Sequence, residues 1–270
     1  MRALVGPPYA LAGRPITVAL KIRARSARDT RADRGMPMDG AGVIALWAVL
    51  FLAGHFVLSA GPVRAALVGA LGEQPFRGIY SLVALATFIP LVVVFAYHKH
   101  AGVMLWNLRG AVPIRWLVWV LMLAALVILV ASFITPNPAQ IGAPAGPDAA
   151  APRGILKLTR HPSFVALGLF GIAHILMNGW AGDIAFFVTF PVLGIVGGWH
   201  QDRRKLREMG ERYRRFVEQT SFMPGAALLS GRQRCDRAAD IPWLGVAIGV
   251  AAFVVLIALH HPLFGGYPMG

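Results

Sequence analysis

The sequence predicts an all-α membrane protein, a polytopic helix bundle with about six transmembrane helices and a cytoplasmic amphipathic helix. Its 270 residues are 57% hydrophobic and only 14% charged, whereas soluble domains carry about a quarter charged residues. The apolar residues gather into runs of about 20, the length that spans a bilayer as a helix. A segment in hydrocarbon must satisfy its own backbone polar groups, so these runs are predicted to be helical.

Six apolar runs follow one another along the chain, at residues 42–60, 79–97, 116–134, 162–180, 184–199 and 242–261. The fifth run is the shortest, and Pro191 lies within it. The connector 135–159 is rich in Pro, Ala and Gly, a composition typical of an extended, mobile linker. The runs together are too short for two bundles, so we interpret residues 39–265 as one transmembrane domain.

The formal net charge of +14 is interpreted as topogenic charge beside a membrane. Residues 200–240 contain ten Lys and Arg side chains, which predicts that this segment faces the cytoplasm. No folded basic domain is visible, so nucleic-acid binding is not expected. Cys235 is the single cysteine, which excludes an internal disulfide.

Residues 1–38 carry eight basic and two acidic side chains and lack a compact apolar core followed by a cleavage site. Six spans would place this basic segment on the side opposite the cytoplasm, against the charge rule. We therefore interpret 1–38 as a basic disordered tail or as an extension upstream of a true start at Met36 or Met38.

Two histidines lie well inside predicted spans, His55 in the first and His174 in the fourth. Ionisable groups are costly in hydrocarbon and often mark functional sites. A hydrogen bond to another helix would explain either histidine alone, whereas a pair on two spans can also share a ligand such as haem iron. Counted from Arg64 and Arg160 at about 1.5 Å per residue, their depths differ by about 8 Å, which permits such a pair.

Basic residues also flank the predicted spans. Arg160 and His161 precede Pro162, and proline suits the first turn of a helix. At the N-terminus of that helix the two basic residues either bind an anion or serve only as topogenic charge. In 199–224, apolar residues at spacings of three and four predict an amphipathic helix on the membrane surface. On that helix Asp202, Arg203 and Arg204 are candidates to hold acidic groups of a ligand.

Short motifs in a fixed order carry a resemblance to the NnrU family, and within it to the zeta-carotene isomerase branch, over residues 42–265. The motifs are His55 with Arg64, Gly72-Glu73, Arg77 with Tyr80, Leu105-Trp106, Thr159-Arg160-His161-Pro162, Ala173-His174, Gly198-Trp199 with Asp202-Arg203-Arg204, Thr220-Ser221-Phe222-Met223-Pro224, Gly231-Arg232-Gln233 and His261-Pro262. A multi-pass protein of a bacterial inner membrane is therefore expected.

The resemblance implies a haem b protein whose iron ligands are His55 and His174, and we take Arg160, Arg203 and Arg204 as candidates for the haem propionates. It further implies cis–trans isomerisation of a lipid-soluble polyene such as zeta-carotene, with ferrous haem as a Lewis acid. The expected partners are membrane lipid and this polyene. The isomerase branch has a cysteine three residues before its second histidine, but Gly171 stands there, so thiolate ligation is excluded at this position.

Two alternatives stay open. The first alternative is a non-catalytic accessory protein of nitrite and nitric oxide respiration, because the name-giving NnrU members are associated with nitrite and nitric oxide reduction. The other is an S-adenosylmethionine-dependent membrane methyltransferase, since the isoprenylcysteine and phospholipid methyltransferases share a similar pattern. That pattern is formed by Arg160-His161-Pro162, Leu206, Gly210, Tyr213, Phe216 and Pro224. Those enzymes carry paired glutamates, whereas Gln201-Asp202 offers one carboxylate.

Overall fold

A computed structural model describes residues 39–139, 152–235 and 238–265. The predicted tail 1–38 and the middle of the predicted connector lie outside the described residues. No strand occurs in the described ranges, where the β-structure is one isolated bridge between Met104 and Trp180.

Helices form at all six predicted apolar runs. The α-helices are α1 (Gly40–Ser59), α2 (Gly61–Leu71), α3 (Glu73–Tyr97), α4 (Val112–Ile134), α5 (Pro162–Met177), α6 (Ala181–Phe187), α7 (Thr189–Met209), α8 (Glu211–Gln219), α9 (Ala226–Leu229) and α10 (Trp243–Phe264), with 3₁₀ turns at Gly154–Lys157 and Ala238–Asp240. The predicted all-α polytopic fold is confirmed.

Five of these helices are long and apolar enough to cross a membrane: α1, α3, α4, α10 and the combined α6–α7 helix, Ala181–Met209. The predicted fourth span is shorter than expected, because α5 has 16 residues and so a length of about 24 Å. It is nevertheless apolar, and it packs between α4 and α7. The chain is therefore a multi-pass membrane protein.

Successive spans run in alternating directions. At one end, Ser59 at the end of α1 hydrogen-bonds His200 of α7, and Arg160 just before α5 pairs with Asp202. At the opposite end, His100 after α3 contacts Asp183 of α6, and the Lys99 ammonium donates to the Phe264 carbonyl of α10. The end that holds Ser59, Arg160 and Asp202 is called the basic end below.

Positive charge is divided unequally between the two ends. Seventeen Lys and Arg residues lie in the described ranges, and only Lys99, Arg109 and Arg115 are at the opposite end. The remaining fourteen are at the basic end, so folding gathers the topogenic charge that the sequence spreads over several loops. By the charge rule, this end is predicted to face the cytoplasm.

Reporter fusions test this topology. A reporter fused after Arg234 is expected to be active in the cytoplasm, and one fused after Tyr267 on the other side of the membrane, because α10 runs away from the basic end. Paired cytoplasmic and periplasmic reporters at both positions provide the measurement. A cytoplasmic signal from the fusion after Tyr267 would contradict the six-helix alternation.

The predicted amphipathic helix of 199–224 is wrong in its extent. The helix that spans the membrane, α7, continues to Met209, and α8 begins separately at Glu211. Gly210 separates them with φ of 56°, a conformation that favours glycine. The buried face of α8 carries Tyr213 and Phe216, which pack with Leu156, so α8 is fixed to the rest of the domain.

Candidate functional site

His55 lies in the last turns of α1, directed into the bundle. Its Nδ1 is 3.0 Å from the Phe51 carbonyl oxygen one turn earlier. The Phe51 ring lies 4.3 Å from the imidazole, and Tyr80 of α3 approaches edge-on at 5.4 Å. Tyr80 belongs to the family motifs, but sequence reasoning gave it no place beside the histidine, since the contact joins two spans.

His174 lies near the end of α5 and, like His55, contacts a backbone carbonyl and an aromatic ring of the preceding turn. Its Nδ1 is 2.9 Å from the Phe170 carbonyl oxygen. The ring stacks on Phe187 of α6 with centroids 4.6 Å apart, and Phe170 lies 4.3 Å away. Aromatic side chains therefore hold the imidazole from two sides.

These hydrogen bonds fix the tautomer of both histidines. A carbonyl oxygen can only accept, so Nδ1 carries the proton in each ring and Nε2 keeps its lone pair. An imidazole oriented in this way through Nδ1–H is the usual form of a metal-ligating histidine. The donor chemistry of His55 and His174 therefore fits iron.

The depths of the two histidines differ more than the sequence estimate of about 8 Å. Arg64 lies in the separate helix α2, so counting from it overstated the depth of His55. Ser59 is level with His200 of α7, so His55, four residues earlier, is level with about residue 196, whereas His174 is level with Phe187 of α6. The two Cα levels are therefore about nine residues apart along the combined α6–α7 helix, or about 13 Å. Because side chains lean toward the N-terminus of their helix, and α1 and α5 are antiparallel, the two rings lean toward each other.

An aromatic wall lies alongside both imidazoles. Phe51, Phe186, Phe187 and Phe190 belong to one buried cluster with Phe170 packed against it. Such a wall suits a flat or extended apolar ligand, since ring faces stack on conjugated systems. Within the described ranges no three His, Cys, Asp or Glu side chains group as a metal site.

Side chains from elsewhere cap the end of α5 beside His174. Trp106 Nε1 donates to the Ile175 carbonyl at 3.1 Å, and Arg109 Nε donates to the Met177 carbonyl at 3.0 Å. Asn178 Nδ2 donates to the His174 carbonyl at 2.9 Å. These bonds satisfy carbonyls that a helix end leaves open and so fix the last turn. Sequence reasoning missed Arg109, because it lies almost 70 positions away from α5.

Gly171 is required by the packing of α5 on the α6–α7 helix. A Cβ at this position would lie 2.6 Å from the Phe187 carbonyl oxygen and 2.6 Å from Pro191 Cδ. The backbone oxygen cannot be displaced by a rotamer change. The cysteine of the isomerase branch therefore does not fit at Gly171 without a shift of the helices.

Gly171→Ala is accordingly expected to destabilise the protein by about 1–3 kcal/mol, the usual cost of overpacking. Thermal unfolding of the detergent-solubilised protein measures the effect. The matched control is Gly168→Ala on the same helix, where a Cβ would lie 3.8 Å from Pro191 Cα. Equal melting temperatures for the two variants would contradict the close contact at Gly171.

Arg160, a candidate for propionate binding, is engaged by Asp202 of α7. Its Nε and Nη2 donate to Asp202 Oδ2 at 2.9 and 2.7 Å. His161 Nε2 is 2.8 Å from Asp202 Oδ1, and the Tyr213 hydroxyl donates to the same oxygen at 2.6 Å. The predicted anion site before α5 is thus occupied by a side chain of the protein itself, although Pro162 does begin the helix as predicted.

This cluster is a structural link rather than an open site. His161 and Tyr213 are 2% and 0% exposed, and burial together with the Asp202 carboxylate raises the pKa of Tyr213, so its hydroxyl stays a donor. The motif shared with methyltransferases places Tyr213 and Phe216 in the interior. The Asp202 carboxylate, which stands where those enzymes carry paired glutamates, accepts hydrogen bonds from Arg160, His161 and Tyr213.

The other two propionate candidates follow Asp202 on α7. Arg203 lies over the Trp199 ring, with its guanidinium carbon 3.8 Å from the centroid. Arg204 has Glu208 as its nearest carboxylate, at 3.7 Å. Both lie on the basic side of the two histidines, and neither makes the tight ion pair that engages Arg160.

Comparison with known proteins finds a matching family and two curated relatives. The model of the family described as "NnrU protein" matches residues 43–268. Two curated relatives are named 15-cis-zeta-carotene isomerase, chloroplastic. The one from Zea mays is 30% identical over 168 residues, covering 62% of this chain and 45% of that protein. The one from Arabidopsis thaliana is 28% identical over 206 residues, covering 73% and 53%.

The chain thus spans about half the length of the curated relatives it matches. No solved structure matches it.

Proposed function

Because the chain belongs to the NnrU family, we propose that it is a haem b-dependent cis–trans isomerase of a lipid-soluble polyene such as zeta-carotene. The observation that carries the proposal is the pair His55 and His174. Their Nδ1 atoms are hydrogen-bonded to backbone carbonyls, and their Nε2 atoms meet no hydrogen-bond donor among the residues that the structure describes. The relatives, which are named as carotene isomerases, supply the substrate class.

In this proposal the two histidines hold the haem iron from α1 and α5. Haem bound there would supply a Lewis acid for an electron-rich double bond, provided that one of the two histidines gives up its place to the substrate. The carbonyls of Phe51 and Phe170 orient the imidazoles, and the caps on α5 keep His174 at a fixed height. Arg203 and Arg204 are better placed than Arg160 to bind the propionates, because Asp202 already occupies two nitrogens of Arg160.

The protein also provides the apolar surface that a polyene needs. Phe51, Phe187 and Phe190 form part of a continuous cluster within the bundle, and the outer faces of the spans are apolar. A hydrocarbon substrate would therefore approach the bundle from the bilayer without crossing water, and the helices would have to part for it to contact these rings, which are at most 9% exposed. In this proposal the aromatic wall would exclude water from the reacting double bond and would hold the polyene in an extended shape.

Two measurements on the full chain test the proposal. The protein, purified from haem-replete cells, should show a Soret band. Its expression in a reporter strain that accumulates 15-cis-zeta-carotene should lower that isomer and raise the product lacking the 15-cis bond, as resolved by chromatography. A Soret band without conversion would favour the accessory role in respiration, and protein that purifies without haem would overturn the proposal.

A further inference from the structure

A cavity at the basic end lies apart from the two histidines. It has a volume of about 370 Å³ and opens between the start of α2 and the last turns of α7. Besides Ser59 and Gly61, its lining includes three arginines and one glutamate: Arg64, Arg204, Arg207 and Glu208. Arg64 is paired with Glu73, whose two carboxylate oxygens accept from its Nη2 at 2.7 and 2.8 Å. Glu208 is then the one carboxylate of the lining that faces Arg204 and Arg207, so the cavity keeps an uncompensated positive charge.

Arg207 is the least compensated of the three arginines. Among the described residues its guanidinium makes no hydrogen bond and no ion pair. The guanidinium packs on the chain at Gly61, where a Cβ would lie 2.8 Å from both terminal nitrogens. Gly61 begins α2, whose N-terminus is the positive end of the helix dipole. A cation held there without a carboxylate is stabilised when an anion lies beside it.

Arg64 and Arg204 also retain unused donors at this cavity. The Nε atom of each is buried and has no hydrogen-bond partner. Glu208 approaches Arg64 Nη1 and Arg204 Nε only to 3.9 and 3.7 Å, which is beyond hydrogen-bond reach. Buried donors of this kind normally have a partner, and a bound anion would supply it.

The neighbourhood of the cavity is that of a membrane interface. A second cavity of about 210 Å³ shares Ser59, Gly61 and Arg207 with the first and adds Trp199 and Arg203. Trp199 is 47% exposed and lies where the apolar part of α7 gives way to charge. Tryptophan at the end of a span marks the headgroup level of the bilayer, so an anion at this depth is within reach of lipid headgroups.

We propose that this cavity binds the phosphate of an acidic phospholipid headgroup in the leaflet at the basic end. Guanidinium groups match phosphate through paired N–H donors, and the cytoplasmic leaflet carries the anionic lipids that basic residues attract. The site goes beyond the proposed isomerase activity, since Arg64 and Arg207 take no part in the haem site proposed above. Arg204, a candidate for the propionates, lines this cavity as well and is the residue that the two sites share.

The test uses the full chain purified in a neutral detergent. Thermal unfolding is followed while mixed micelles of phosphatidylglycerol, phosphatidylcholine or no lipid are added, and inorganic phosphate serves as the soluble source of the same group. Phosphatidylglycerol should raise the melting temperature of the wild type, whereas phosphatidylcholine and millimolar inorganic phosphate should not. Arg207→Gln should weaken the apparent affinity for phosphatidylglycerol about fivefold.

Two further variants make the result specific. Gly61→Ala changes no charge but places a Cβ where the Arg207 guanidinium lies, and it should also weaken phosphatidylglycerol binding. Arg215→Gln removes the same charge on the exposed face of α8, where Arg215 is 71% exposed, and should leave binding unchanged. Equal affinities for Arg207→Gln and Arg215→Gln, or stabilisation by inorganic phosphate alone, would overturn the lipid site. Loss of the Soret band in Arg207→Gln with unchanged lipid binding would overturn it too, and would assign the cavity to haem.

Discussion

Replacement of either His55 or His174 by alanine is expected to abolish the Soret band or to shift it strongly. Each variant removes one of the two Nε2 atoms that are proposed to bind iron. Any haem that remains bound would then have five-coordinate iron in an apolar site. Its spin state should then change, because an axial ligand sets the electronic state of the iron. Absorption spectra of oxidised and reduced protein, together with haem content per chain, measure the effect.

The controls follow from the positions of the other histidines. His98 lies just after α3 at the opposite end, near the start of α1, and His98→Ala should leave the spectrum unchanged. His260 is unsuitable as a control, because it interacts electrostatically with His174. Glycine at position 55 or 174 gives a sharper test, since added imidazole should restore the spectrum of a true ligand variant. Wild-type spectra from both alanine variants would remove these residues from the iron site.

Asp202→Ala is expected to destabilise the protein by about 3–5 kcal/mol, the usual cost of breaking one partner out of a buried ion pair. The carboxylate accepts from Arg160, His161 and Tyr213, and it links α7 to the start of α5 and to α8. Its removal leaves the Arg160 guanidinium, whose side chain is only 12% exposed, without this carboxylate. Denaturant unfolding in detergent micelles measures the loss.

A surface ion pair provides the matched control. Glu211 and Arg214 are 64% and 65% exposed, and Glu211→Ala should cost about 0–1 kcal/mol. The double variant Arg160→Met with Asp202→Leu should recover part of the stability, because apolar residues of similar size can replace a buried pair. If Asp202→Ala and Glu211→Ala cost the same, the cluster does not hold the helices together.

Hydrophobic run length was enough to predict which segments become helices. Each of the six runs forms one, because a backbone in hydrocarbon has few other ways to satisfy its polar groups. Helix ends were less accurate wherever charge and apolar surface overlap. The run 184–199 continues to Met209, since side chains such as Asp202 and Lys205 are buried by neighbouring helices and need not face water.

The sequence by itself determined the all-α membrane fold, the positive charge of the segment 200–240 and the identity of two histidines within spans. Those properties depend on local composition, and local composition fixes the cost of transfer into the bilayer. Only the tertiary structure decided which polar groups pair with one another. Arg160 looked like an anion ligand until Asp202, 42 positions away, was found to bind it. Arg207 looked like one charge among ten until the described part of the chain was found to offer it no carboxylate. The reason is that pairing depends on distances between helices, which spacing along a single helix does not contain.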